Sequence, residues 1–157
     1  MIDRLHVAVI GDNFVGTDLF AAALHRHVLP LVGELAIRAL HVPCPAEPLR
    51  AGGEIKEYLG DPQAVAELVQ GCQVLLTHVG PVTQAVIDAA PDLRLIGCCR
   101  GGPVNVNVAA ATAPRVLTLD AALRIAQEKN RDVAKARSYQ DWVRGKYVEE
   151  RAAALPR

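Results

Sequence analysis

Aromatic side chains are scarce in this 157-residue chain, since phenylalanine, tryptophan and tyrosine together make up 4% of it. Their scarcity disfavours a stacking surface for nucleic-acid bases and an all-β sandwich. Excess charge is also lacking, because 17 basic residues balance 17 acidic ones, and nucleic-acid binders normally carry a basic surface. No apolar run approaches the ~20 residues that cross a bilayer, and polar residues interrupt the N-terminus where a signal peptide has its apolar core. We therefore expect a soluble, cytoplasmic protein with neither a nucleic-acid nor a membrane partner.

Cysteine pairs with metal or redox spacing are absent as well. The four cysteines, none of them in a C-x-x-C motif, are Cys44, Cys72, Cys98 and Cys99. In a chain that is 51% hydrophobic, we interpret them as reduced thiols packed in or near strands. His25 and His27 lie two positions apart on a predicted helix and therefore point to different faces. No metal site is predicted.

What the chain does have is an alternation of apolar, β-branched runs with helical patterns. Strands are predicted at residues 6–10, 35–42, 74–79, 93–99 and 116–119, and helices at 17–27, from about 62, at 81–90 and at 106–112. Strands that are apolar almost throughout and separated by helices need both faces covered. The pattern predicts an α/β fold, a flavodoxin-like doubly wound parallel sheet with the strand order 2-1-3-4-5.

The last part of the chain has a different pattern, which predicts one long helix over residues 121–144, ended by Gly145. We therefore divide the chain into a flavodoxin-like domain, residues 1–119, and a C-terminal helix and tail, residues 120–157. The tail either packs on the same domain or forms an arm that contacts a second copy or another chain.

The loop after the first predicted strand has the sequence GDNFVGT, with two glycines spaced as in a phosphate-binding P-loop. The lysine of that motif is absent, and Asp18 follows Thr17 instead. An acidic residue there repels phosphate, so we interpret Asp12, Asn13 and Thr17 as turn and cap residues.

His78 lies at the end of the third predicted strand, at the position where a phosphoryl-receiver domain of this architecture needs an aspartate for magnesium. That substitution disfavours the receiver function. An imidazole is able to act as a general acid or base near neutral pH. The alternative is a structural histidine at a strand end.

The fourth predicted strand leads into the sequence CCRGGPVN. Gly101 and Gly102 allow positive φ and leave backbone amides unobstructed, so they are able to bind a small carboxylate or phosphate. Arg100 adds a guanidinium suited to a carboxylate. The alternative is that the glycines only turn the chain and that Arg100 pairs with an acidic neighbour.

The run from Gly60 to Ala113 resembles the N-terminal substrate domain of the D-isomer-specific 2-hydroxyacid dehydrogenases, the family of phosphoglycerate dehydrogenase. The segments VLLTHVGPVT, AVIDAAP, LRLIGCC, RGGPVN and VNVAAAT carry the resemblance. It implies a flavodoxin-like domain whose glycine-loop amides hold the carboxylate of a small 2-hydroxy or 2-keto acid. The substrate-binding residues that it implies are His78, Gly80, Pro81, Arg100, Gly101, Gly102 and Asn105.

This chain departs from the family in lacking the inserted NAD domain, since it has no G-x-G-x-x-G after a strand. Asp120 occupies the place where the resemblance puts the general-acid histidine. His78 and Asp120 are accordingly only weak candidates for catalytic residues, and no cofactor site is predicted in this chain. We expect a domain that binds the acid and transfers hydride only if another chain supplies the NAD domain. The alternative is a ligand-free remnant or an oligomerisation module such as a homodimer.

Overall fold

Five parallel strands form one sheet in a computed structural model of the chain, which describes residues 4–44, 46–111, 115–129 and 131–153. The strands are β1 (Leu5–Gly11), β2 (Leu35–His41), β3 (Val74–Thr77), β4 (Leu95–Cys98) and β5 (Arg115–Thr118). Their order across the sheet is β2-β1-β3-β4-β5, and each adjacent pair is parallel. The predicted fold class and strand order are confirmed.

The helices follow the predicted alternation in the first part of the chain. They are α1 (Thr17–His27), α2 (Leu29–Val32), α3 (Pro62–Leu68), α4 (Gln84–Asp88), α5 (Leu119–Lys129) and α6 (Arg131–Ala153). The Asp61 carboxylate accepts a hydrogen bond from the amide of Gln63 (3.0 Å), which caps α3 as the sequence predicts. The single-turn helix α2 has no counterpart among the predicted elements.

Both faces of the sheet are covered, as a doubly wound fold requires. Val7 and Val9 of β1 pack with Phe20 and Leu24 of α1 on one face. The alternate residues Ala8 and Ile10 belong to the larger core on the other face, which includes residues of α3 and α4. Because successive side chains of a strand point to opposite faces, a strand buried on both sides has to be apolar throughout. That requirement explains the unbroken apolar run of β1.

Two of the predicted helices differ from the structure around the bridge that joins Val82 to Val106. The helix expected from residue 81 begins only at Gln84, because Thr83 is its N-cap and accepts from the amide of Val86 (3.3 Å). The helix expected over residues 106–112 is wrong for the described residues 106–111, which form a bridge and a turn. The side chain of Asn107 accepts from the amide of Ala110 (3.0 Å) within that turn. Thr112 lies outside the described residues.

The C-terminal helix was predicted to end at Gly145, and this prediction is wrong, since α6 continues through Gly145 to Ala153. One glycine within a helix costs only about 1 kcal/mol, and its neighbours Arg144 and Lys146 favour helix. The chain divides into two compact units, Met1–Leu119 and Asp120–Arg157. Within the ranges that the structure describes, no helix has the length and apolar character needed to cross a membrane.

Candidate functional site

The carboxyl ends of β1, β3 and β4 lie side by side at one edge of the sheet. Ile10 pairs with Thr77, and Thr77 in turn pairs with Cys98. The loops that leave these three strands therefore meet at the same edge. It is also the edge where the strand order reverses between β1 and β3, and ligands of doubly wound sheets bind at such a switch point.

An aspartate and a histidine meet at this switch point. Nδ1 of His78 lies 2.5 Å from Oδ2 of Asp12. The Asp12 side chain is fully buried, whereas 20% of the His78 side chain is exposed. The other carboxylate oxygen of Asp12 accepts hydrogen bonds from the amides of Phe14 (2.8 Å) and Val15 (3.0 Å). The carboxylate thus connects the loop after β1 to the loop after β3.

The charge of Asp12 is maintained despite its burial. Burial on its own raises the pKa of this carboxyl group, but the hydrogen bonds from Val15, His78 and Phe14 stabilise the ionised form and together outweigh the burial. The resulting pKa lies below the ordinary aspartate value. Asp12 is therefore a carboxylate at neutral pH, a hydrogen-bond acceptor only.

The GDNFVGT loop is a turn, as predicted, and Asp12 is the side chain that closes it. The two amides that a phosphate would need there donate to Asp12 instead. Thr17 was expected as a cap residue, and this is wrong: the N-cap of α1 is Gly16, which has no side chain to accept a hydrogen bond, and Thr17 is the first residue of the helix.

Arg100 pairs with Glu57, a residue that the sequence analysis did not single out. Its Nη1 donates to the backbone oxygen of Glu57 (2.8 Å), and its Nη2 donates to the carboxylate (2.7 Å). Glu57 has a φ of 52°, in the left-handed region that non-glycine residues rarely adopt. In this structure Arg100 therefore pairs with an acidic neighbour, which was the alternative given in the sequence analysis. The 43 residues that separate the pair explain why local sequence patterns do not reveal it.

The glycine loop itself presents unoccupied amides. Gly101 is exposed and Gly102 is partly exposed. No group within the described ranges accepts a hydrogen bond from either amide. A Cβ built on Gly102 would have no neighbour within 4 Å, so space is open on that side. Neither glycine uses the positive φ that the sequence analysis considered, since the positive-φ glycines of the described chain lie elsewhere.

Asn105 fastens the glycine loop to the loop after β3. Its side chain is fully buried, and its amide nitrogen donates to the backbone oxygen of Gly80 (2.8 Å). Its side-chain oxygen accepts from the Cys98 thiol (3.3 Å). Gly80 has to lack a side chain, because a Cβ there would lie 2.5 Å from Cγ2 of Ile10. Pro81, the next residue, is buried.

The thiols and the metal-binding side chains add no reactive centre at this edge. Cys44, Cys72 and Cys98 are buried and Cys99 is partly exposed, all four as free thiols. Burial raises the pKa of Cys98 to about 11, so it is a neutral thiol at physiological pH. Among the described residues, no three or more His, Cys, Asp or Glu side chains come together in a group able to hold a metal ion.

The candidate residues of the first unit are thus brought to one edge in two clusters. His78 with Asp12 forms one cluster, and Arg100, the two glycines, Gly80 and Asn105 form the other. Asp120 belongs to the second unit, where it lies in the first turn of α5. The partnership of Asp12 with His78 was not predicted, although both residues directly follow strands that the predicted order makes neighbours. The predicted strand order was therefore the sequence signal from which this pair was available.

The fold is a doubly wound α/β domain with candidate ligand-binding residues at the carboxyl edge of its sheet. The family described as "D-isomer specific 2-hydroxyacid dehydrogenase, catalytic domain" matches residues 38–122, more than half of the chain. The chain therefore belongs to this family, and the resemblance stated from its sequence is confirmed.

Individual relatives match either over a short segment or at low sequence identity. A segment of 38 residues is 47% identical to "Putative 2-hydroxyacid dehydrogenase YoaD" of Bacillus subtilis (strain 168), covering 24% of this chain and 11% of that protein. The TT0316 protein from Thermus thermophilus has a TM-score of 0.48 and 21% identity over 86% of this chain and 40% of that one. The "putative D-3-phosphoglycerate dehydrogenase oxidoreductase" from Ralstonia solanacearum has a TM-score of 0.44 and 17% identity over 86% of this chain and 39% of that one. The chain thus spans less than half the length of these relatives.

Proposed function

We propose that this chain is the substrate domain of a D-2-hydroxyacid dehydrogenase, binding the carboxylate of a small 2-hydroxy or 2-keto acid at its glycine loop. The observation that carries the proposal is the pair of unoccupied amides at Gly101 and Gly102, next to open space. Two amides aimed at a carboxylate make charge-assisted hydrogen bonds, which are about twice as strong as neutral ones. Membership of the family supports this class of acid.

Arg100 serves this site mainly by its place in the fold. Both of its terminal nitrogens donate to Glu57, so the guanidinium holds the glycine loop against the loop that contains Glu57. The Arg100 side chain is 20% exposed and the Glu57 carboxylate compensates its charge, so its proposed contribution is to hold the loop in place. The guanidinium has five N–H donors and Glu57 accepts from two of them, so three remain for another acceptor such as the acid. By the same proposal, Gly80, Pro81, Asn105 and His78 line the site, and Asn105 is hydrogen-bonded to the Gly80 oxygen.

We propose that hydride transfer requires an NAD domain in addition to this domain. Members of the family use NAD in general, and NAD pyrophosphate binds at a glycine-rich turn between a strand and a helix. In this chain the turn between β1 and α1 has its amides occupied by the Asp12 carboxylate. A carboxylate in that position repels pyrophosphate, so the turn does not fit the cofactor.

Calorimetric titration of the full chain with glyoxylate, pyruvate and 3-phosphoglycerate tests the binding proposal. We expect saturable binding of at least one acid, and we expect Arg100→Ala to weaken it. A ligand at 100 times its dissociation constant adds about 2.7 kcal/mol of stability, so the melting temperature should rise as well. Absence of heat and of stabilisation with every acid contradicts the proposal.

A separate assay tests the dependence on a partner. The purified chain with NADH and a keto acid should show no turnover, whereas coexpression with a chain that carries a Rossmann NAD domain should restore it. Turnover by the chain alone contradicts this part of the proposal.

The second unit supports an alternative function as an oligomerisation module. Tyr139, Trp142, Val143, Tyr147 and Val148 of α6 are all exposed and recur at helical spacing. Tyr139 and Trp142 stack with their ring centroids 5.9 Å apart. Sedimentation equilibrium distinguishes the two functions: a concentration-dependent dimer that no acid stabilises favours the module.

A further inference from the structure

The two ring nitrogens of His78 have different surroundings. Nδ1 contacts the buried carboxylate of Asp12 at 2.5 Å. Nε2 has no hydrogen-bond partner within the described residues. Every buried side-chain nitrogen and oxygen of those residues does have a partner, so Nε2 is not buried and is accessible to solvent. One nitrogen is bound to the protein, and the other is free to meet a ligand.

Asp12 holds the ring more firmly than a surface carboxylate could. The amides of Phe14 and Val15 bind one of its oxygens, and His78 takes the other. The backbone of His78 is also fixed, since its amide donates to the carbonyl oxygen of Ile10 (3.4 Å). Ring and backbone are thus both tied to the end of β1.

This arrangement determines which nitrogen carries the proton. Asp12 is ionised and only accepts hydrogen bonds, so the neutral imidazole keeps its proton on Nδ1 and presents a lone pair at Nε2. The imidazolium instead presents an N–H at the same place. Nε2 is therefore able to accept a hydrogen bond from an alcohol or to donate one to a carbonyl oxygen, without movement of the ring.

We propose that Nε2 of His78 binds the 2-oxygen of the acid, and that Asp12 is the positioning residue that directs it. This inference rests on the proposed function, because it assumes that the carboxylate occupies the amides of Gly101 and Gly102. The strands place the two groups together: His78 directly follows Thr77, the β-sheet partner of Cys98, and the glycine loop begins two residues after Cys98. An acid held by its carboxylate in the glycine loop has its 2-oxygen on the adjacent carbon, and we infer that this oxygen meets the neighbouring strand end, where His78 lies.

A pair of acids that differ only at this oxygen tests the inference. D-Lactate carries a 2-hydroxyl group and propionate does not. One hydrogen bond of this type contributes about tenfold in affinity, so the wild-type chain should bind D-lactate about tenfold more tightly than propionate. His78→Asn retains a side-chain N–H able to reach Asp12 but has no Nε2, and the ratio should fall to within about twofold. Arg100→Ala is the matched control, which should weaken both acids by the same factor.

The outcomes separate this inference from the proposed function. If wild-type chain binds neither acid, the proposed function fails and this inference fails with it. If it binds both acids and His78→Asn leaves the ratio unchanged, only the role of His78 is overturned.

Nitrogen-15 NMR of the imidazole provides a readout that does not depend on a folded variant. In wild-type chain the neutral ring should be protonated at Nδ1, and Nε2 should shift on addition of D-lactate but not of propionate. Asp12→Asn places an amide donor opposite Nδ1 and should reverse the tautomer, as the same exchange does in serine-protease triads. A neutral wild-type ring protonated at Nε2 contradicts the role of Asp12. An Nε2 signal that does not shift on addition of D-lactate contradicts the role of His78.

Discussion

Replacing Asn105 by alanine tests whether this buried side chain holds the glycine loop in place. The substitution removes the hydrogen bond to the Gly80 carbonyl oxygen (2.8 Å) and the contact with the Cys98 thiol (3.3 Å). Gly80 keeps a weaker hydrogen bond from the Thr77 hydroxyl (3.3 Å). The Cys98 thiol loses its acceptor in a buried place, and a small cavity remains.

These losses sum to a destabilisation of about 2–4 kcal/mol. A net hydrogen bond contributes about 1 kcal/mol, and a buried partner left unsatisfied, together with the cavity, accounts for the remainder. With a urea dependence of about 2 kcal/mol/M, the unfolding midpoint should fall by about 1–2 M. Acid binding should weaken as well, because the glycine loop loses its attachment to the β3 end.

The assay has to report on the sheet. The sole tryptophan, Trp142, lies in α6 of the second unit, so its fluorescence is unsuitable. Hydrogen exchange of the buried β1 amides, followed across a urea series, measures the opening of the first unit directly. Asn13→Ala is a matched control at an exposed position, expected to change stability by less than about 0.5 kcal/mol. Equal midpoints for Asn105→Ala and wild type would refute the reasoning.

Three further predictions concern the same edge. Gly80→Ala should destabilise by about 1–3 kcal/mol in urea unfolding through overpacking against Ile10, whereas Gly53→Ala, with no atom within 4 Å of its new Cβ, should have little effect; equal effects contradict the packing argument. The lowered pKa of Asp12 contributes stability that is present above the unfolded value of about 3.9 and lost as pH falls through the folded value; unfolding free energies from pH 7 to 3 should show this loss, and Asp12→Asn should lack that component. With a pKa of about 11, Cys98 should react with iodoacetamide at pH 7 at least ~100-fold more slowly than a free cysteine, by peptide mapping; rapid labelling of the folded chain contradicts its burial.

The strand order was predictable because the physical requirement is local. A strand buried on both faces has no polar alternation, and Val7, Ala8, Val9 and Ile10 are all fully buried. Such strands separated by helices leave few arrangements besides a doubly wound sheet. Apolar content and spacing therefore sufficed.

Two of the errors arose where contacts distant in sequence override local preference. The bridge between Val82 and Val106 takes residues from two segments whose spacing favours helix. The periodicity of either segment contains no information about the other. Gly145 continues a helix rather than ending it, since a single unfavourable residue is weaker than the sum of its neighbours.

The position of the site was predictable, but the partners of its residues were not. His78, Arg100 and the glycines were identified because they lie at or just after predicted strand ends, and the carboxyl ends of parallel strands share one edge. Their partners, Asp12 and Glu57, come from loops far away in sequence. Which carboxylate meets which cation depends on loop conformation, including the positive φ of Glu57, and residue spacing does not encode it.

The amide signals of Gly101 and Gly102 give the most direct test of the central claim. In a proton–nitrogen correlation spectrum of the full chain titrated with pyruvate, both amide protons should move downfield and saturate together, because each donates to the carboxylate. The amides of α6 should not move. If the two glycine signals stay fixed while pyruvate is added, or if the shifts are confined to α6, this loop is not the site of the acid.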